Sequence, residues 1–173
     1  MEFIQTLKNL IPDYAKDIRL NLDGVLLRSS LTQEDALGCA LAASFATGCT
    51  ELTAVLQENT PEAERNAALT AAALMGMNNA WYPYVEMAGD EDLKTQRPEL
   101  RMNAYATHGG VSKIKFESYA LAASIIGKCH FCVNSHYKLL KGEGMTAVQL
   151  RDLGRIAAVI NSIAQVLRVP LLK

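Results

Sequence analysis

Ala120-Leu121-Ala122-Ala123-Ser124-Ile125-Ile126-Gly127-Lys128-Cys129 is a run of small and aliphatic residues that stops at a glycine, a lysine and a cysteine. Its first five residues occur earlier as Ala40-Leu41-Ala42-Ala43-Ser44, and the same shift of 80 lays Cys49 on Cys129. A second match, at a shift of 85, pairs Ala72-Ala73-Leu74-Met75 with Ala157-Ala158-Val159-Ile160. Self-similarity at a fixed spacing is the mark of a repeated structural unit. We therefore expect one all-helical domain over 1–173, a compact bundle with internal duplication, whose pseudo-repeat halves run from about 30 to 90 and about 110 to 170.

Composition supports helices. The chain has 24 alanines but only nine valines and nine isoleucines. Alanine is the best helix former, whereas β-branched residues favour strands. Half of the 173 residues are hydrophobic, enough for an independent core. Start signals recur in order: Thr32 before Gln33-Glu34-Asp35, Thr60-Pro61-Glu62, Ser112, and Thr146 with Gln149 as a capping box. Helices are predicted near 12–28, 32–47, 50–58, 61–88, 112–127, 130–141 and 146–169. Pro83 should kink or end the helix over 61–88, and Pro170 should end the last one. Gly89 to Val111 reads as a loop with a short helical turn, and no segment alternates as a strand does.

The formal charge of −1 places no basic stripe for nucleic acid on the chain. The lead Met1-Glu2-Phe3-Ile4-Gln5 lacks the pattern of a secretory signal, and no apolar run approaches the ~20 residues that span a bilayer. A cytoplasmic protein with no membrane partner is the expectation, so its thiols should be reduced unless they cycle.

Cys129 and Cys132, with His136 four residues on, concentrate the chemistry. A Cys-x-x-Cys pair in a reducing compartment points first to redox work. On a helix starting at or just before Cys129, Cys132 lies about 60° round and His136 about 20°. Cα atoms at this spacing sit roughly 5–5.5 Å apart, within the range of a disulfide. His136 is about 6 Å along the axis from Cys132 and about 10.5 Å from Cys129, so it serves Cys132 more directly. The helix N-terminus, in contrast, stabilises a thiolate at Cys129. The two arguments favour different nucleophiles, and spacing does not choose between them.

Other readings of the same residues stand beside this one. The pair with one histidine is half of a zinc site, but a closed structural site takes four ligands. The remaining candidates (His130, His108, Cys39 and Cys49) lack ligand-like spacing. Thiols also pack as small hydrophobes, the expected role of Cys39 and Cys49. A non-enzymatic helical oligomerisation module is the corresponding third reading. His108, before Gly109-Gly110, is expected in solvent, and His130, about 100° from Cys129, is expected to face outward. Glu117 belongs on a solvated face unless its helix packs beside the thiols. If the repeat is real, Leu37, Leu52 and Leu56 stand where Glu117, Cys132 and His136 do, leaving the first half as scaffold.

Several strings carry a resemblance: Leu10-Ile11-Pro12-Asp13-Tyr14-Ala15-Lys16-Asp17-Ile18, Met75-Gly76-Met77-Asn78-Asn79, Arg97-Pro98-Glu99-Leu100-Arg101-Met102-Asn103, and Phe116-Glu117 ahead of the thiols. Over most of its length the chain resembles alkyl hydroperoxidase D proteins, within the carboxymuconolactone decarboxylase-like superfamily. The resemblance implies an all-helical homotrimer and a thiol peroxidase acting on organic hydroperoxides, without metal, flavin or haem. It implies Cys132 as peroxidatic, Cys129 as resolving, and Glu117 with His136 as a proton relay. It implies re-reduction by a dihydrolipoyl group on an acyltransferase, with a peroxiredoxin as a further partner. One departure stands out: the family commonly has histidine just before the second cysteine, where this chain has Phe131, with His130 one place earlier. The expectation is therefore a hydroperoxide reductase, with a dithiol relay to a peroxiredoxin as the alternative.

Overall fold

The computed structural model describes residues 2–169. Among these, ten α-helices and two 3-10 turns make up the regular structure, and no strand occurs. They are α1 (Glu2–Leu10), α2 (Lys16–Leu26), α3 (Gln33–Thr47), α4 (Thr50–Asn59), α5 (Glu62–Ala88), α6 (Glu91–Thr95), α7 (Asn103–Ala106), α8 (Lys113–Gly127), α9 (His130–Gly142) and α10 (Ala147–Leu167). The 3-10 turns cover Asp13–Ala15 and His108–Gly110.

The alanine-rich runs become the central pair, α3 and α8. Ala36 to Ser44 and Phe116 to Ser124 are each buried without a break. A helix apolar all round belongs inside, and small side chains let its neighbours approach. Gly38 shows how closely: a Cβ there would overlap the ring of Tyr119. α5 packs against both, and α10 lies across them. Caps fix the starts as expected, with Thr32 accepting from Asp35 N–H, Ser112 from Lys115 N–H, and Thr146 with Gln149 forming the full capping box.

Residues 32–50 and 112–130 follow one local course. Both central helices span 15 residues and end in a left-handed residue, Gly48 (φ 72°) or Lys128 (φ 54°). Cys49 and Cys129 then stand in matching extended conformations at the N-caps of α4 and α9.

The structure departs from expectation at several points. α1 was not expected, although Phe3, Ile4 and Leu7 form its buried face. The helix predicted over 12–28 is instead a 3-10 turn followed by α2. Thr60 does not cap α5: its hydroxyl donates back to Leu56 O and closes α4, leaving Pro61 as the residue before the helix. α5 runs through Pro83 to Ala88 without ending there. Its last buried residue is Met75, so the proline falls in the half of the helix that contributes nothing to the core. Residues 89–111 hold three short helical pieces rather than one. α10 ends at Leu167, and Pro170 lies outside the described residues. No helix among the described residues is long and apolar enough to cross a membrane.

Candidate functional site

The site is assembled where α9 packs on α8 and on the exposed half of α5. Along α9 the buried residues are Cys132, His136 and Leu140, one per turn, and the N-cap Cys129 continues that stripe. Cys129 and Cys132 are joined as a disulfide with Cα atoms 5.3 Å apart. Cys129 is wholly buried and Cys132 is 2% exposed. Cys129 Sγ also accepts a hydrogen bond from Cys132 N–H at 3.2 Å. In the dithiol state the same N–H, with the dipole behind it, favours negative charge on Cys129.

The two sulfurs differ in access. A cavity of about 400 Å³ is lined by Cys132 and His136, together with Asn78, Tyr82, Tyr105 and Phe131; Cys129 is not on its wall. Cys129 lies behind, with its Sγ 3.9 Å from Asn78 O.

Glu117 is fully buried, against the expectation of a solvated face, because α8 does pack beside the thiols. Its Oε2 lies 2.6 Å from His136 Nδ1, and its Oε1 accepts from the Tyr105 hydroxyl. Burial pushes the Glu117 carboxyl upward, but the hydrogen bonds from His136 and Tyr105, with the charges of His136 and Lys113, outweigh it and hold the pKa below the ordinary value. The other His136 nitrogen, Nε2, is 3.2 Å from Met75 Sδ. The ring is thus fixed from both ends. Burial, then the hydrogen bond and charge of Glu117, raise Tyr105 well above the ordinary phenol value, so it stays a neutral donor.

His130 does not join this group. Its side chain is 82% exposed and its Nδ1 lies 3.2 Å from Glu86 Oε1. It is absent from the wall of the thiol cavity, which its neighbour Phe131 lines. Phe131 stacks on Tyr82 with ring centroids 4.2 Å apart. His108 is half-buried rather than in solvent, packed beside the rings of Tyr105 and Phe116. Cys39 and Cys49 are free and buried, and burial, then the nearby Asp35 charge, drives the Cys39 thiol far up. Sequence reasoning missed Tyr105, Met75 and Tyr82. Met75 lay in one of the quoted family strings, but nothing local marked Tyr105, whose role comes from how residues 103–110 fold back onto α8.

Residues 91–169 match the model of the carboxymuconolactone decarboxylase family. The chain is 40% identical over 168 residues to a protein of Rhodospirillum centenum named alkyl hydroperoxide reductase AhpD, with 95% of this chain and 90% of that one covered. It is 41% identical over 165 residues to the protein of that name from Bradyrhizobium sp., covering 93% and 91%. A Frankia alni protein of the same name is 39% identical over 169 residues, covering 93% and 89%. Similarity of this depth over almost the full length, with the bonded cysteine pair in place, makes this chain a member of the alkyl hydroperoxide reductase AhpD family.

Proposed function

We propose that this chain is a thiol-dependent alkyl hydroperoxide reductase whose Cys129 and Cys132 cycle between dithiol and disulfide. The single observation that carries the assignment of roles is the unequal access of the two sulfurs: Cys132 faces a cavity, and Cys129 sits behind it at a helix cap. Cys132 as thiolate attacks the terminal oxygen of ROOH, the O–O bond breaks, and Cys132 becomes a sulfenic acid. The departing alkoxide takes a proton to leave as ROH. His136, on the same cavity wall and held by Glu117 and Met75, is the group we assign to supply that proton. Cys129 then attacks the Cys132 sulfur, the S–OH bond breaks, and hydroxide leaves with the Cys129 proton as water. The balance is one peroxide and two thiols giving one alcohol, one water and one disulfide.

Re-reduction runs through the same opening. A donor thiolate reaches Cys132 Sγ, and Cys129 departs as the thiolate that its cap hydrogen bond favours. The burial of both sulfurs supports a slender arm such as a dihydrolipoyl group rather than a protein thiol presented on a broad surface. A lipoyl-bearing acyltransferase as donor, a reducing cytoplasm and a homotrimeric assembly belong to this reading.

A second reading makes the protein a dithiol relay that passes electrons to a peroxiredoxin and turns over little peroxide itself. Phe131 in place of histidine and the outward His130 favour it.

The test starts with fully reduced protein and an organic hydroperoxide. Two of the four cysteines should disappear per peroxide consumed, and Cys132→Ser should abolish the reaction. Thiols that persist while peroxide persists would refute the peroxidase, and fast reduction of an oxidised peroxiredoxin in the same preparation would install the relay.

A further inference from the structure

We infer that the cavity adjoining the thiol cavity across Tyr82 and Phe131 is a tail site, which makes long-chain hydroperoxides ending in a carboxylate the preferred substrate class. This deepens the proposed peroxidase and rests on it. The second cavity, about 730 Å³, lies between the outer half of α5, the 93–98 segment and the start of α9. Its volume falls within the range of sites that take extended organic ligands.

Three observations converge on it. First, Tyr82 and Phe131 line both this cavity and the 400 Å³ thiol cavity, so their stacked rings are the shared wall between them. A substrate with its peroxide at Cys132 and a tail long enough to pass over these rings would reach the second cavity. Second, the lining is mostly apolar, with Trp81, Val85, Leu93 and Pro98 joining the two shared rings. Third, the charges on the rim are uneven. Glu86 already faces His130 at 3.2 Å, and Lys94 is held by Glu91 at 2.6 Å. Arg97 has no ion-pair partner among the described residues and lies on the same wall. A planar guanidinium free at the mouth of an apolar groove suits a carboxylate.

The chemistry at sulfur is unchanged from that above. The tail site acts on affinity, each buried methylene raising it about fourfold and the exposed carboxylate pair adding about three- to fivefold.

Trp81 supplies a readout independent of turnover, because it is the chain's one tryptophan and lines the groove. Disulfide-form protein is titrated with an 18-carbon hydroxy fatty acid, the unreactive alcohol product, while tryptophan emission is followed. The expected result is a saturable change, with Kd raised about three- to fivefold in Arg97→Gln and no such difference between the two proteins for the methyl ester. In parallel, kcat/KM for the 18-carbon hydroperoxide should exceed that for tert-butyl hydroperoxide by at least about tenfold, and Arg97→Gln should lower that ratio. An unsaturable titration, or Kd values equal in wild type and Arg97→Gln, would overturn the tail site even in an active peroxidase. Saturable, Arg97-dependent binding in a protein that consumes neither peroxide would sink the peroxidase reading and keep the groove as a carboxylate-tail site.

Discussion

At the scale of single residues, the site separates a reacting sulfur from a supporting one. Cys129→Ser removes the group that closes the disulfide while leaving Cys132 on the cavity wall. One hydroperoxide equivalent should therefore convert this variant to a stable sulfenic acid at Cys132, detectable as a dimedone adduct by mass spectrometry. No adduct would mean that Cys132 is not the sulfur that meets peroxide. Tyr105 is the other informative position. Its hydroxyl donates to Glu117, and removing it takes one of the hydrogen bonds that hold this carboxyl low. Tyr105→Phe should slow peroxide-driven disulfide formation by about tenfold, the worth of a hydrogen bond to a charged group. It should also move the acid limb of the pH profile to higher pH, because the Glu117 pKa rises toward its ordinary value. A purely structural role would lower the rate without moving that limb.

At the scale of elements, caps and composition made most of the bundle legible. Thr32, Ser112 and Thr146 cap as their sequence context says, and the alanine runs become α3 and α8. Stripe geometry on α9 placed Cys132 and His136 together because one helix carries both, so spacing alone fixes their relation. Tyr105 and Met75 could not be read that way, since each reaches the site from a different segment through tertiary packing. Glu117 had a sequence signal, but its burial depended on α8 docking against α9. The turns that follow α3 and α8 also differ in a testable way. Gly48 takes the left-handed conformation at no steric cost, whereas Lys128 holds it at φ 54° with a side chain present. Lys128→Gly should therefore stabilise the fold by roughly 0.5–1 kcal/mol, after allowing for the greater freedom of glycine in the unfolded chain. Denaturant melts measure this directly. A midpoint that falls would show that the lysine side chain contributes more than its backbone costs.

At the scale of the whole molecule, two buried carboxylates tie together segments far apart in sequence. Glu117 links α8 to α9 and to the 103–110 segment. Asp152, on α10, accepts from the backbone N–H of Ser30 at 2.9 Å and from Arg151 and Arg155. Burial pushes both carboxyls up, but hydrogen bonding outweighs it and holds each below its ordinary value, Asp152 by a wide margin. A folded-state pKa below the unfolded one stabilises the fold fully above the unfolded value, and that contribution fades as pH falls toward the folded value. Thermal stability should thus be level near neutrality and decline once the pH drops below about 4.5, where unfolded carboxylates begin to protonate. Asp152→Asn separates this effect from general acid sensitivity. Losing charge-assisted hydrogen bonds worth about 1–3 kcal/mol, it should lower Tm at pH 7 by roughly 2–12 °C. It should also flatten the acid decline, because its share of the proton linkage is gone. Melts of both proteins from about pH 7 down to about pH 3 decide the matter: curves that stay parallel throughout would show that Asp152 contributes nothing to the proton linkage of this fold.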